Sequence, residues 1–170
     1  MNGSTIEVGG NNSIGLYSKG ASSNTTAKGS ITASTGAVAM FAEDNSNMKL
    51  ENLTANVNDS SLLFYNYTKS TSTPPTYIPT GNFGIGSGVT ANINAGGVAF
   101  YNVGNIGSIP TFLNAWNGTA NAMTLNMASG SRLFVLDQPG LVVNLSGVPA
   151  QASGGTISLQ NGNGPTLAHV

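Results

Sequence analysis

A short phrase, apolar and ending in an aromatic residue, returns along the whole chain and narrows what the chain can fold into. It reads Ile14-Gly15-Leu16-Tyr17, Val38-Ala39-Met40-Phe41, Leu62-Leu63-Phe64-Tyr65, Val98-Ala99-Phe100-Tyr101 and Leu133-Phe134-Val135-Leu136, with Gly155-Thr156-Ile157-Ser158-Leu159 as a frayed last copy. The starts at 14, 38, 62, 98, 133 and 157 lie 24, 24, 36, 35 and 24 residues apart. A unit of about 24 residues, twice lengthened by about a dozen, is how a solenoid with loop insertions reads in sequence.

Alternation is the local period within each copy. The pairs Ile14/Leu16, Val38/Met40, Leu62/Phe64, Val98/Phe100 and Leu133/Val135 are apolar at i and i+2. Strand residues two apart share a face, so these pairs are expected to point inward. A second alternating segment precedes most copies: Ile31/Ala33, Leu53/Ala55/Val57, Val89/Ala91/Ile93 and Met123/Leu125/Met127. Leu53-Thr54-Ala55-Asn56-Val57-Asn58 and Val89-Thr90-Ala91-Asn92-Ile93-Asn94 match position for position, each nine residues ahead of its partner strand. The segments 58–61, 94–97 and 128–131, rich in Asn, Gly and Ser, read as the turns between the two strands. Apolar spacing at three and four is missing, so no helix is expected.

Whole strand–turn–strand units resemble one another in register, which favours parallel stacking over an antiparallel sandwich of unrelated strands. The fold expected is all-β: a single-stranded parallel β-helix, or β-solenoid, of about six coils, with residues 1–170 forming one fragment of a longer protein. Proline-bearing stretches at about 68–82 and 104–120 interrupt the period and should leave the stack as loops. Both follow the recurring phrase, so both should emerge from the same corner. Gly84-Ile85-Gly86-Ser87-Gly88 has no helix after it and no Lys beside it, so it reads as a flexible corner and not a phosphate cradle.

Only 6% of residues are charged, against about 25% in ordinary soluble domains. Five basic and six acidic residues give a formal net charge of -1, so there is no field to draw in nucleic acid or anionic lipid. Polarity comes from Asn, Ser, Thr and Gly instead. Cysteine is absent, which removes disulfides, thiolate nucleophiles and Cys-type zinc sites together. No apolar run reaches the roughly 18 residues of a membrane-spanning helix. The opening Met1-Asn2-Gly3-Ser4 lacks the regions of a signal peptide, and Met1 reads as an initiator added to a piece of something longer.

Catalysis has little to work with. The one histidine, His169, sits beside the C-terminus, a poor place for a Ser-His-Asp arrangement. Glu43 and Asp44 with Glu51 are the best prospect for a glycosidase-type carboxylate pair, although solvent-facing turns are the simpler reading of all three. Glu43, Asp44 and Asn47 form a weak Ca²⁺ candidate without the frame of a known calcium loop; no cofactor is expected. Aromatics carry more. Tyr17, Phe41, Tyr65 and Tyr101 occupy one place in four copies and by strict alternation face outward as a ladder, which serves either to stabilise the stack or to bind. Trp116, Tyr67 and Tyr77 lie on or near the insertions. With Tyr65 and Tyr101 these form the candidate ligand-binding set, since Tyr and Trp join a flat apolar face to a hydrogen-bonding tip. Asn56/Asn92 and Thr54/Thr90 repeat in adjacent copies, with Thr32 in line, as amide and hydroxyl ladders; an ice-ordering threonine array would be more regular.

The Gly-Gly-Val-Ala-Phe-Tyr and Thr-Gly-Ala-Val-Ala-Met-Phe phrases, on a cysteine-free Asn/Thr/Gly background, resemble the β-helical passenger regions of Gram-negative autotransporter adhesins. The resemblance covers roughly residues 10–160 and is one of style and period. It implies an extracellular segment on a bacterial cell surface, exported as part of a longer chain and not itself membrane-inserted. Its function would be non-enzymatic, with loops contacting a host or bacterial glycan or protein. The alternatives are a polysaccharide-degrading β-helix, lyase or phage tailspike-like, and a purely structural stalk. Unpaired strand edges at the ends of such a stack also favour end-to-end self-association.

Overall fold

The computed structural model describes residues 3–67, 81–103, 123–137, 142–144, 156–159 and 166–168. Among them the chain is strand and turn throughout. The strands are β1 (Ser4–Gly9), β2 (Ile14–Lys19), β3 (Asn24–Ser34), β4 (Val38–Glu43), β5 (Asn47–Val57), β6 (Leu62–Tyr67), β7 (Asn82–Ile85), β8 (Val89–Ile93), β9 (Val98–Val103), β10 (Thr124–Met127), β11 (Arg132–Asp137), β12 (Val142–Asn144), β13 (Thr156–Leu159) and β14 (Thr166–Ala168). One six-stranded sheet runs β1-β3-β5-β8-β10, with β7 also on β5. A second runs β13-β11-β9-β6-β4-β2, and β12 pairs with β14. Every pairing is parallel. Parallel neighbours need a long crossover, usually a helix. Here the crossover between β3 and β5 is β4, a strand of the other sheet.

Register bears out the matched segments. Leu53, Ala55 and Val57 pair with Val89, Ala91 and Ile93, and Thr32 stands beside Asn56. The turns fall at the expected places. Ser61 N–H donates to Asn58 O, Gly97 N–H to Asn94 O and Ser131 N–H to Ala128 O, at 2.9–3.1 Å. Their tips also join: Gly36 N–H reaches Asp59 O, and Ser60 N–H reaches Gly96 O, both at 3.1 Å.

Three expectations are corrected. The first concerns which residues point inward. Ala39, Met40, Leu63, Phe64, Ala99 and Phe100 all belong to the apolar core, whereas Val38 and Leu62 are half-buried and Ile14 is 41% exposed. Two consecutive core residues cannot share one face of a flat strand, so strict alternation is interrupted there. The same geometry puts Gly15 inward: a Cβ on it would stand 2.7 Å from Ile31 Cδ1.

The second concerns register in the fifth copy. Arg132, not Leu133, stands beside Val98, and Phe134 stands beside Phe100. Leu133 therefore joins the core in the place of Ala99, and Val135, in register with Tyr101, is buried as expected. A one-residue slip moves every side chain to the other face, and this register leaves Arg132 exposed.

The third concerns extent. Gly81 and Asn82 belong to the ladder and not to the first insertion: Gly81 N–H donates to Ala42 O at 2.9 Å, and Asn82 pairs with Asn47. Gly84 and Ile85 continue β7, so only Gly86-Ser87-Gly88 forms the corner, and it is held by Gly86 N–H to Leu50 O at 2.7 Å. A strand segment absent from the repeat reading thus appears, in which Ala27, Met48, Leu50 and Phe83 are buried. Both large sheets and this segment contribute to a single apolar cluster.

Candidate functional site

Two outward-facing columns carry the polar and aromatic groups. In the second sheet Tyr17, Phe41, Tyr65 and Tyr101 stack with ring centroids 5.5, 5.3 and 5.9 Å apart and planes tilted by 33°, 46° and 54°. Tyr17 is 50% exposed, whereas Phe41 is only 9% exposed because its neighbours cover it. Tilted contacts at this range suit the aromatic quadrupole, so the ladder stabilises the sheet whatever else it does. Of the candidate binding residues, Tyr65 and Tyr101 are adjacent and half-buried. Tyr67 ends β6, where its backbone pairs with Val103, and its side chain lies outside what is described. Tyr77 and Trp116 lie outside the described residues, as do 68–80 of the first insertion and all of the second, 104–120.

Two of the candidate carboxylates, Glu43 and Glu51, are already engaged. Tyr17 Oη donates to Glu43, and Lys19 Nζ lies 2.9 Å from the same oxygen. Donating to Glu43 raises the pKa of Tyr17, and the same carboxylate, by hydrogen bond and charge, raises that of Lys19. Asp44 occupies a turn with φ of 56°, and Asn47 Nδ2 donates to Asn24 Oδ1 at 3.2 Å. Among the described residues no group of three His, Asp or Glu side chains is placed to hold a metal ion. Glu51 pairs with Lys49 and with Lys28 Nζ at 3.0 Å.

Hydrogen bonds from Lys49 first and Lys28 second hold the Glu51 carboxyl below the usual carboxylate range. Its contribution to stability is therefore present above that range and is lost as pH falls through the lowered folded-state value. A urea series should find wild type ahead of Glu51→Gln at neutral pH, with the gap closing below about pH 4 and shrinking in high salt. A gap that stayed constant on acidification would count against the lysine pairing.

The first sheet carries the longer array. Thr5, Ser30, Thr54, Thr90 and Thr124 form one column in register, and Glu7, Thr32, Asn56, Asn92 and Asn126 form the next. Asn126 Nδ2 donates to Asn92 Oδ1 at 2.9 Å, and Asn92 Nδ2 donates to Asn56 Oδ1 at 2.8 Å. Beside them Asn94 Nδ2 donates to Asn58 Oδ1 at 2.6 Å. The repeat reading finds Asn56 and Asn92 but misses Asn126, although Asn recurs there at a 34-residue offset from Asn92. An open depression of about 390 Å³ adjoins this ladder, lined by Asn56, Asn92, Asn94, Asn126, Met127 and Ala128.

Tyr67 and Val103, after which the chain leaves the described residues, are register partners on neighbouring strands. No protein-family model, curated protein or solved structure matches the chain.

Proposed function

We propose that the chain is a run of about six coils of a single-stranded parallel β-helix. It serves as a non-enzymatic, extracellular adhesin segment of the autotransporter passenger type on a bacterial cell surface. The alternation of strands between two wholly parallel sheets supports the coil reading. The observation that carries the function is the pairing of Tyr67 with Val103. It sets the departure points of both insertions side by side, about 4.8 Å apart, next to Tyr65 and Tyr101. Two neighbouring insertions, with Trp116, Tyr67 and Tyr77 on or near them, make one contact surface for a host or bacterial glycan or protein. The shortage of charge suits a neutral surface of that kind.

Lysine pairing of Glu43 and Glu51 fits this reading better than a polysaccharide-cleaving one, since a general acid needs a raised pKa and Glu51 has a lowered one. The outer edges at β1 and β2, with Ile14 and Tyr17 exposed there, favour end-to-end association of the isolated chain.

Replacing residues 69–79 and 105–121 by short Gly-Ser links tests the assignment. Binding to host cells, bacterial cells and a glycan array should disappear, while the far-ultraviolet circular dichroism keeps its strand signature. Unchanged attachment would move the binding face elsewhere, and silence of the unaltered chain on every surface would favour a stalk.

A further inference from the structure

The outer face of the first sheet is separate from the aromatic column and the insertions. Its polar groups recur at the strand spacing of about 4.8 Å, so Asn56, Asn92 and Asn126 span about 10 Å along the stack. An Asn side chain offers two N–H donors and two acceptor positions. The ladder uses one of each on Asn92, leaving one donor and one acceptor for a ligand. The order among the amides fixes where those free positions recur. Beside the ladder, Met127 and Ala128 supply apolar surface within the same 390 Å³ depression. Donor–acceptor pairs beside a small apolar patch match a sugar ring, which has hydroxyls at its rim and C–H groups on its face.

Charge narrows the class. No group lining the depression is ionised, and in the two outward columns the one charged residue is Glu7, on the edge strand β1. Lys28 and Lys49 share Glu51 on the other segment of β3 and β5, which leaves a net positive charge there, but none of the three lines the depression. A uronate, sulfate or phosphate polymer would lose its hydration and find no cation in return. A neutral glycan loses far less. The rise per sugar of an extended glycan is similar to the strand spacing, so successive rings can meet successive asparagines.

We infer that the Asn56–Asn92–Asn126 ladder and the adjoining depression bind an uncharged polysaccharide lying along the stack, across the strands. The site is independent of the insertions and of the aromatic ladder, so its failure leaves the adhesin reading standing.

Affinity electrophoresis of the full chain through gels containing soluble mannan, β-glucan, galactan or polygalacturonate tests it. At least one neutral polymer should retard the wild type, and the polyuronate should not. Asn92→Asp adds a charge and removes a donor, and should weaken retardation about tenfold or more. Asn92→Thr copies Thr32, and Asn126→Ala alters an exposed position at the end of the ladder. These two keep the test valid if Asn92→Asp unfolds, and each should weaken retardation with its urea midpoint close to wild type. Thr26→Ala, at an exposed position on the other segment of β3, should leave retardation unchanged. The inference is overturned if no neutral polymer retards the chain, if polygalacturonate retards it equally, or if the Asn92→Thr and Asn126→Ala proteins run as wild type. Ice-growth inhibition without any retardation would likewise assign the face to water.

Discussion

Phe64→Ala is expected to lower stability by about 3–5 kcal/mol, with a fall in melting temperature on the order of 10 °C. Phe64 is fully buried, and its ring centroid lies 4.5 Å from that of Phe83 and 5.3 Å from that of Phe100. It therefore joins the second sheet to the short strand β7 and links two successive repeats. Removing the ring loses its transfer free energy and opens a cavity, and the backbones around it are tied into parallel ladders that cannot collapse inward. Phe64→Leu keeps most of the volume and should cost about 1.5 kcal/mol or less. Thermal and urea denaturation followed by circular dichroism measure both. Equal losses for the two variants would mean that the aromatic contacts, and not the filled volume, decide.

Gly81→Val should be nearly as damaging, by about 3 kcal/mol, for the opposite reason. A Cβ at Gly81 would stand 2.6 Å from the carbonyl carbon of Ala42 and closer still to Ala42 Cβ. Neither neighbour can move aside: Ala42 lies in the core, and its carbonyl accepts from Gly81 N–H. A side chain there pushes β7 away from β4 and takes Phe83 off Phe64. Gly84 is the control. Its Cβ would meet only Lys49 Cγ at 3.9 Å, so Gly84→Ala should be neutral or slightly stabilising. Trimming the neighbour in an Ala42→Gly/Gly81→Val double variant should not restore stability, because the clash with the backbone carbon remains. Recovery in that variant would show that the side-chain contact alone carries the cost.

Much of the architecture was legible because the chain repeats itself. Leu53-Thr54-Ala55-Asn56-Val57 and Val89-Thr90-Ala91-Asn92-Ile93 have the same apolar and polar order, and like columns in a parallel ladder need no more than that. The turns at 58–61, 94–97 and 128–131 were legible because they are rich in turn-forming Asn, Asp, Gly and Ser, and positive φ falls within them at Asp59, Ser60, Gly96 and Gly130. The segment holding Met48, Leu50, Phe83 and Ile85 escaped notice because it does not echo the recurring phrase. Its own alternation and the Asn47–Asn82 pairing were the available signals.

Local order of apolar and polar residues, by itself, determined strands, turns, the parallel sense and the stacking of the aromatic column, since each follows from an alternating pattern and a repeat of one unit. Only the tertiary structure decided that Ala39 and Met40 both enter the core, that Arg132 stands beside Val98, and that Glu43 and Glu51 are held by Tyr17 and by lysines. Those outcomes depend on where a strand departs from its pleat and on which long polar side chains meet across strands. Both are settled by contacts between residues far apart in the chain, which no local period records.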